Sequence, residues 1–78
     1  MATSDAAPLI VNARGMKCPW PALRAARALR EVAAIVIEAD DPVAPTELEA
    51  LAASQGWTLN RLDEHRFSLA RPDGSPAP

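Results

Sequence analysis

The chain contains a single cysteine, Cys18, among its 78 residues. One cysteine cannot form an intramolecular disulfide, and it cannot supply a structural zinc site built from several cysteines. A domain of this length buries only a modest core, and many small domains depend on such cross-links. This chain must therefore hold its fold through the patterning and packing of its core.

The length and composition of the chain restrict its class. Compact domains usually run from about 50 to 250 residues, so a chain of this size is one domain. Hydrophobic residues make up 49% of it, which is typical of a globular protein. No apolar run approaches the roughly 18 residues of a membrane span. The first residues lack the positive cluster and apolar stretch of a signal peptide, so we expect a cytoplasmic protein.

The charge balance argues against a protein that binds nucleic acid through global positive charge. The chain has 8 Lys and Arg against 10 Asp and Glu, a net charge of -2. The positive charge is concentrated, because five basic residues and one acidic residue give residues 14–31 a charge of +4, which leaves -6 for the rest. This asymmetry indicates one basic region on an acidic protein.

The spacing of apolar residues predicts an order of elements. We expect a flexible N-terminal tail at 1–8, an ordered domain at 9–70 and a flexible proline-rich tail at 71–78. The predicted strands cover residues 9–11, 35–37, 57–62 and 66–70, and the first helix covers about 22–32. The order predicts an α+β fold, a two-layer α/β sandwich β-α-β-α-β-β with a mixed four-stranded sheet and two helices on one face.

The second helix carries its own boundary signals. Thr46 and Glu49 fit a capping box, with Thr46 as the N-cap residue. Gly56 stands where a C-terminal cap is expected. Trp57 follows directly, opens the third predicted strand and is expected in the core.

Cys18 follows a strand and a glycine turn and precedes the first helix. Unpaired N–H groups at a helix start favour a thiolate and so lower the pKa of a cysteine placed there. Asp40 and Asp41 follow the next strand at the same sheet edge, and nearby carboxylates would raise that pKa. The sequence leaves this balance open. A buried, inert cysteine is the alternative, but the flanking Lys17 and Pro19 favour an exposed thiol.

The first helix presents candidate docking residues. Arg24, Arg27 and Arg30 recur every three residues and predict one solvent-facing stripe. The stripe is either simply solvated or a docking surface for an acidic partner. Trp20 lies between two prolines, where it either serves as an exposed docking anchor or folds back over the helix start.

Other candidate chemistry is weaker. Asp40 and Asp41 more simply cap a turn or helix than bind a metal or act as an acid/base pair. His65, the only histidine, is expected at the surface of a hairpin turn. Phosphate loops, dinucleotide fingerprints, Ser-His-Asp orders and zinc spacings do not occur. We therefore expect no cofactor and no metal.

Residues 15–21, Gly-Met-Lys-Cys-Pro-Trp-Pro, resemble the Gly-Leu-x-Cys-Pro-x-Pro signature of the TusA/SirA-type sulfur-carrier family. Residues 39–42, Ala-Asp-Asp-Pro, are similar to the family's second marker, and the resemblance runs from about residue 9 to 70. It implies that Cys18 accepts a sulfane sulfur as a persulfide and relays it to an acceptor protein. The residues expected to support the site are Arg14, Gly15, Lys17, Pro19 and Pro21, of which the two prolines would shape the helix start and hold the thiol outward.

The resemblance also implies partners. The sulfur donor would be a cysteine desulfurase or a rhodanese-like protein, and an acceptor protein would lie downstream. Members of the family serve transfer RNA thiolation, sulfur oxidation or molybdenum-cofactor enzymes. Such a carrier is a stoichiometric relay rather than a self-contained catalyst, and neither a membrane nor direct nucleic-acid contact is implied. The chain departs from the family at Asn12, where Asp is usual, and it lacks the usual Pro-Gly turn before the second strand.

Two further interpretations remain beside the sulfur relay. One is a non-catalytic protein-interaction or redox-regulatory module of the same fold, in which Cys18 is a redox-sensitive or structural thiol. The other is a nucleic-acid binder that uses the arginine stripe, which a pI near 5.2 disfavours. Exposure and reactivity of the thiol separate the first two, because a carrier needs an accessible thiolate.

Overall fold

The computed structural model describes residues 8–72, which form six elements. In chain order these are β1 (Leu9–Asn12), α1 (Trp20–Glu31), β2 (Ala34–Glu38), α2 (Ala44–Gln55), β3 (Thr58–Asp63) and β4 (Arg66–Ala70). The order β-α-β-α-β-β confirms the prediction. Residues 1–7 and 73–78, which make up most of the two predicted tails, lie outside the described residues.

The strands form one mixed sheet in the order β1-β2-β4-β3. β1 pairs with β2 in parallel, and β4 pairs antiparallel with both β2 and β3. The parallel unit and the final hairpin are both confirmed. The structure adds that the hairpin inserts β4 into the middle of the sheet, which leaves β1 and β3 as the two edges.

One face of the sheet carries the core. Side chains alternate along a strand, so Ile35 and Ile37 point to the same face as Leu69 and Phe67, their partners on β4. All of these side chains are buried, and both helices pack on them through Ala25, Leu29, Leu48 and Ala52. Because both helices share this one cluster, the predicted two-layer arrangement is confirmed.

α1 forms where helix-favouring Ala, Leu and Arg follow a proline in the first turn. Pro21, Ala25 and Leu29 are its buried residues, which places one face against the sheet. The arginines of the predicted stripe are exposed. The helix ends at Glu31, one residue earlier than the apolar spacing suggested.

The predicted start of α2 is wrong. The helix begins at Ala44 with Val43 in the N-cap position, and no side chain caps it. Thr46 therefore lies inside the first turn rather than before it. Pro45 explains the earlier start, because a proline fits the first turn, where N–H groups have no intrahelical partner. Gly56 ends α2 in the left-handed conformation, at φ 73°, as predicted.

Trp57 is half-buried and packs against the core, in agreement with its predicted place. The strand that follows begins at Thr58 rather than at Trp57. Trp57 instead lies in the link between α2 and the sheet, where its main-chain N–H donates to the Ala52 carbonyl at 2.9 Å.

Candidate functional site

Two loops leave neighbouring parallel strands at the same edge of the sheet. Residues 13–19 join β1 to α1, and residues 39–43 join β2 to α2. We call them the cysteine loop and the aspartate loop. Because β1 and β2 run parallel, both loops lie at carboxyl ends of strands, where open α/β sheets tend to bind ligands.

The aspartate loop holds the cysteine loop through main-chain N–H groups. Asp40 Oδ1 accepts the Gly15 N–H at 3.0 Å, and Asp41 Oδ2 accepts the Cys18 N–H at 2.6 Å. The other oxygen of Asp41 accepts the Val43 N–H at 3.2 Å, beside the start of α2. The two aspartates thus do what the turn-capping interpretation predicts, and they also lie beside Cys18.

The cysteine loop adds its own turns to this support. Gly15 has a φ of 80°, a conformation that favours glycine over any residue with a Cβ. Asn12 Oδ1 accepts the Arg14 N–H at 3.0 Å. Asn12 therefore supplies a side-chain oxygen for this turn although it lacks the carboxylate usual in the family.

The start of α1 offers few free N–H groups to a thiolate. Pro19 occupies the N-cap position and Pro21 the first turn, and neither has an N–H. The Trp20 N–H already donates to the Lys17 carbonyl at 2.8 Å. Ala22 is the remaining donor of the first three helical positions, so the lowering of the thiol pKa expected from a helix start is weak here. The peptide bond between Cys18 and Pro19 is cis.

The Cys18 thiol is exposed, which confirms the expectation from its neighbours. Desolvation by adjacent groups raises the pKa of this thiol, and the negative charge of Glu47, a hydrogen bond to the Glu47 side chain and the charge of Asp41 raise it further. A thiol that donates to a carboxylate is stabilised in its protonated form. The balance that the sequence left open therefore falls on the side of a raised pKa.

Glu47 is the site residue that the sequence analysis missed. It lies in the first turn of α2 and is half-buried. The capping-box pattern drew attention to Glu49 instead, which lies two residues further along α2 and is exposed. The signal that could have identified Glu47 is its place in the first turn of the helix that follows β2, because that turn lies beside the cysteine loop.

The two basic residues expected to support the site do not offset these carboxylates. Arg14 Nε donates to Glu38 Oε1 at 3.2 Å, so its guanidinium is paired with the end of β2. Arg66 approaches the same carboxylate at 3.9 Å. Lys17 is exposed, and its ammonium forms no ion pair within residues 8–72. The basic sequence around Cys18 therefore does not produce a basic pocket.

A groove opens beside the site between β1 and α1, with a volume of about 630 Å³. Trp20, Arg24 and Arg27 line it, and Trp20 is 60% exposed as predicted for a docking anchor. Arg30 is exposed but does not line the groove. The structure therefore joins three of the four predicted docking residues and separates the fourth.

The remaining candidate residue lies in the final hairpin. His65 is half-buried in the β3–β4 turn, where its carbonyl accepts the Ala39 N–H at 2.9 Å.

Within residues 8–72, no three side chains of His, Cys, Asp and Glu lie close enough to hold a metal ion together. In the same part of the chain, no helix is both long and apolar enough to cross a membrane.

Comparison with known proteins agrees with this architecture. The crystal structure of a SirA-like protein from Desulfitobacterium hafniense has the same fold, with a TM-score of 0.63 and 22% identity over 78% of this chain and 90% of that chain. No curated protein sequence matches the chain. A family model described as sulfurtransferase TusA matches residues 9–69, which include both loops. The chain therefore belongs to the TusA family, a membership that suggests a sulfur-carrier role.

Proposed function

We propose that the protein carries sulfane sulfur as a persulfide on Cys18 and relays it between two proteins. The observation that supports this most directly is the arrangement of the two loops. The aspartate loop holds the main chain of Cys18 in place, while the thiol stays exposed and in contact with the Glu47 carboxylate. A carrier needs a thiol that is fixed in position, open to a partner and supplied with a proton acceptor.

Loading begins from the protonated thiol. Glu47 takes the proton from Cys18, and the thiolate attacks the outer sulfur of a persulfide on the donor protein. A new S–S bond forms at Cys18 as the S–S bond of the donor breaks, and the donor leaves as a thiolate. No external oxidant or reductant is needed, because the sulfane sulfur moves with its oxidation state unchanged.

Delivery is the same exchange in the opposite sense. A thiolate of the acceptor attacks the outer sulfur on Cys18, and Cys18 leaves as a thiolate. Cys18 then takes up a proton from water and becomes a thiol again. Because the raised pKa of Cys18 favours the protonated thiol, the empty carrier ends in a form that is a weak nucleophile, which slows return of the sulfur.

The absence of a second cysteine suits this role. The persulfide on Cys18 has no thiol of its own chain to attack it, so the sulfur is not released by formation of an internal disulfide. Transfer then requires a partner thiol that reaches the exposed edge of the sheet. A cysteine desulfurase or a rhodanese-like protein is the donor that fits this chemistry, and the acceptor serves transfer RNA thiolation, sulfur oxidation or molybdenum-cofactor enzymes.

The proposal is tested by intact-mass spectrometry after incubation with a cysteine desulfurase and cysteine. The wild-type chain should gain the mass of one sulfur atom, and a reductant should remove it. Cys18→Ser should gain nothing, while its circular dichroism and urea unfolding match the wild type. This variant is a suitable control because the main-chain N–H that binds Asp41 at position 18 is present in serine as well as in cysteine.

A different result would favour the second interpretation. If several donors fail to add sulfur while Cys18 is still open to alkylation, the thiol is reactive but does not carry sulfur. The protein would then be a redox-regulatory or interaction module of the same fold.

A further inference from the structure

Strand β1 forms one edge of the sheet, and its sequence lacks features that commonly keep a sheet edge from pairing with another strand. It consists of Leu9, Ile10, Val11 and Asn12, without a charge or a proline. Native proteins commonly protect such edges with charges, prolines or bulges, because unpaired N–H and C=O groups attract another strand. Within residues 8–72, β1 has no such protection apart from its short length and Pro8, which directly precedes it.

The direction of the free main-chain groups follows from one hydrogen bond. The Ala13 N–H donates to the Glu38 carbonyl at 2.8 Å, so residue 13 faces β2. Successive residues of a strand direct their N–H and C=O groups to opposite sides. Ile10 and Asn12 therefore direct theirs away from β2, toward the open side of the sheet.

The other edge of the sheet is protected. β3 carries Arg61 and Asp63, and its pairing with β4 is irregular between these two residues. The Arg61 guanidinium donates to the main-chain carbonyls of Asp63 and Glu64. Its Cζ atom lies 5.4 Å from the centre of the Phe67 ring. A bulge and edge charges are the usual means of blocking strand addition, so an added strand is favoured at β1.

Apolar side chains are exposed around the same open edge. Leu9 is 48% exposed, Ile10 57%, Trp20 60% and Leu23 51%, and all four line the groove between β1 and α1. Exposed large apolar residues that cluster in one place indicate an interaction site, whereas single ones do not. Main-chain groups and apolar pockets thus lie side by side, as in sites that bind an extended peptide as an extra strand.

The charges of the groove indicate the occupant. Arg24, Arg27 and Glu31 line it, with Glu31 at the far end of α1, so positive charge exceeds negative by one. A second copy paired through β1 about a twofold axis would run the two α1 helices antiparallel. The arginines lie near the middle of the helix, so that arrangement would bring four of them together. An acidic partner would instead face Arg24 and Arg27, two positive charges that lie at this groove although the chain has a net charge of -2.

We propose that β1 and the adjoining groove bind an extended, acidic and apolar segment of a partner protein, which adds to the sheet as a fifth strand. Its main chain pairs with Ile10 and Asn12, its apolar side chains contact Trp20 and Leu23, and its carboxylates face Arg24 and Arg27. The proposal deepens the proposed function, on which it rests for the identity of the partner as a protein that exchanges sulfur with Cys18. The end of the segment that contacts Trp20 would lie near the thiol, because Trp20 follows Cys18 by two residues in the sequence.

The test uses the full chain and three short synthetic peptides. In the first, valine and glutamate take turns at the positions of one face of the strand, with threonine at the positions between them; the second has lysine in place of glutamate; the third is the acidic peptide with every main-chain nitrogen methylated. The acidic peptide should bind roughly tenfold more tightly than the basic one, because complementary charge sets the preference. Amide NMR signals of Ile10 and Asn12 should shift and gain protection from hydrogen exchange. The methylated peptide should not bind, because it cannot complete the ladder.

Charge variants test the face of the groove. Arg24→Glu combined with Arg27→Glu should reverse the preference toward the basic peptide. Arg30→Glu is the matched control, since Arg30 belongs to the same helix but lies outside the groove, and it should leave the preference unchanged. Binding to the wild type should weaken as salt increases.

Three outcomes would overturn the proposal. Equal affinity for acidic and basic peptides removes the charge argument, and unchanged affinity after methylation removes strand addition. Concentration-dependent dimers in analytical ultracentrifugation, with β1 amides at the contact, would assign the edge to a second copy.

The sulfur chemistry is measured separately, so that its failure can be distinguished. A small-molecule persulfide should load Cys18 in the wild type and in the double arginine variant alike. Loading without peptide binding overturns the groove proposal and leaves the carrier role standing. Peptide binding without loading overturns the carrier role and leaves the peptide site standing.

Discussion

The two loops that connect a parallel strand to a helix have similar designs and opposite roles. Each leads into a helix with a proline in its first turn and no side-chain cap, after Cys18 in one and Asp41 in the other. The cysteine loop contributes main-chain N–H groups and the thiol, whereas the aspartate loop contributes carboxylates that bind those N–H groups. The comparison teaches that the position of the thiol is set largely by a loop about two dozen residues away in sequence.

The charge around Cys18 also comes from the aspartate loop and α2 rather than from the cysteine loop. Arg14 and Lys17 make the cysteine loop basic in sequence, yet Arg14 is paired with Glu38. Asp41 and Glu47 belong to the other connection and lie close enough to raise the pKa of the thiol. Contacts across the sheet edge therefore decide the charge around Cys18, and the neighbours in sequence do not.

The largest effect on this comparison should come from Asp41→Ala. The change removes the acceptor of two N–H groups, one in each loop, and we expect it to cost about 1–2 kcal/mol of unfolding free energy. It should also lower the pKa of Cys18, because one of the charges that raise it is lost. Urea unfolding measures the first effect, and the pH dependence of alkylation measures the second.

Asp41→Asn is the control for that variant. It keeps one acceptor oxygen and removes the charge. Its loss of unfolding free energy should therefore be about half that of Asp41→Ala, at most about 1 kcal/mol, while the thiol pKa is again lowered. Wild-type stability in Asp41→Ala would contradict the role of the aspartate loop as the support of Cys18.

Gly15→Ala should have the next largest effect, and Gly56→Ala is its match. Both glycines have positive φ, 80° and 73°, and an added Cβ meets no atom within 4 Å at either position. Each alanine should therefore cost about 1 kcal/mol through backbone strain alone. Only Gly15→Ala should change the rate of Cys18 alkylation, because Gly15 bonds to Asp40 whereas Gly56 ends α2. Equal alkylation rates in both variants would show that the cysteine loop tolerates strain without moving the thiol.

Glu47→Gln should leave stability within about 0.5 kcal/mol of the wild type, as is usual for a surface substitution. It should lower the pKa of Cys18, because Glu47 raises it both by charge and by a hydrogen bond. At neutral pH a larger fraction of the thiol is then ionised, so alkylation should be faster and its pH profile should move to lower pH. Glu49→Gln, on the same helix and exposed, should behave like the wild type. A profile that moves to higher pH would contradict the contact between Glu47 and the thiol.

Asn12→Asp should have the smallest effect. The new side chain keeps an oxygen for the Arg14 N–H, so the turn survives and stability should stay within about 0.5 kcal/mol. Persulfide loading should be unchanged, which mass spectrometry can check. Faster loading in this variant would show that the carboxylate usual in the family adds to the chemistry.

The sequence predicted the fold well because its signals were local. The apolar periodicity of α1, the β-branched residues of β2 and Gly56 at the end of α2 each report on a neighbourhood of a few residues. The start of α2 failed for a related reason. Thr46 and Glu49 matched a capping pattern, but the side-chain acceptor beside that helix start is Asp41, which bonds Val43 before the pattern begins.

The site was predictable in part. The exposure of Cys18 was predicted from Lys17 and Pro19, and the nearness of the two aspartates from the shared sheet edge. The exposure of Trp20 was one of two alternatives that the sequence left open. The direction of the pKa shift did not, because it depends on which side chains of a separate helix face the thiol. The same limit applies to Arg14, whose partner Glu38 lies on a neighbouring strand.

The anchoring of Cys18 through main-chain N–H groups also affects how the protein can diverge. A backbone donor is present at every residue except proline, so exposed positions such as Lys17 can be exchanged while the two aspartates keep the thiol where it is. Recognition of a new partner can thus be acquired through surface substitutions that leave the reactive centre in register. For protein engineering, the cysteine loop can be redesigned for a chosen client as long as Gly15, Cys18 and the aspartate pair are retained.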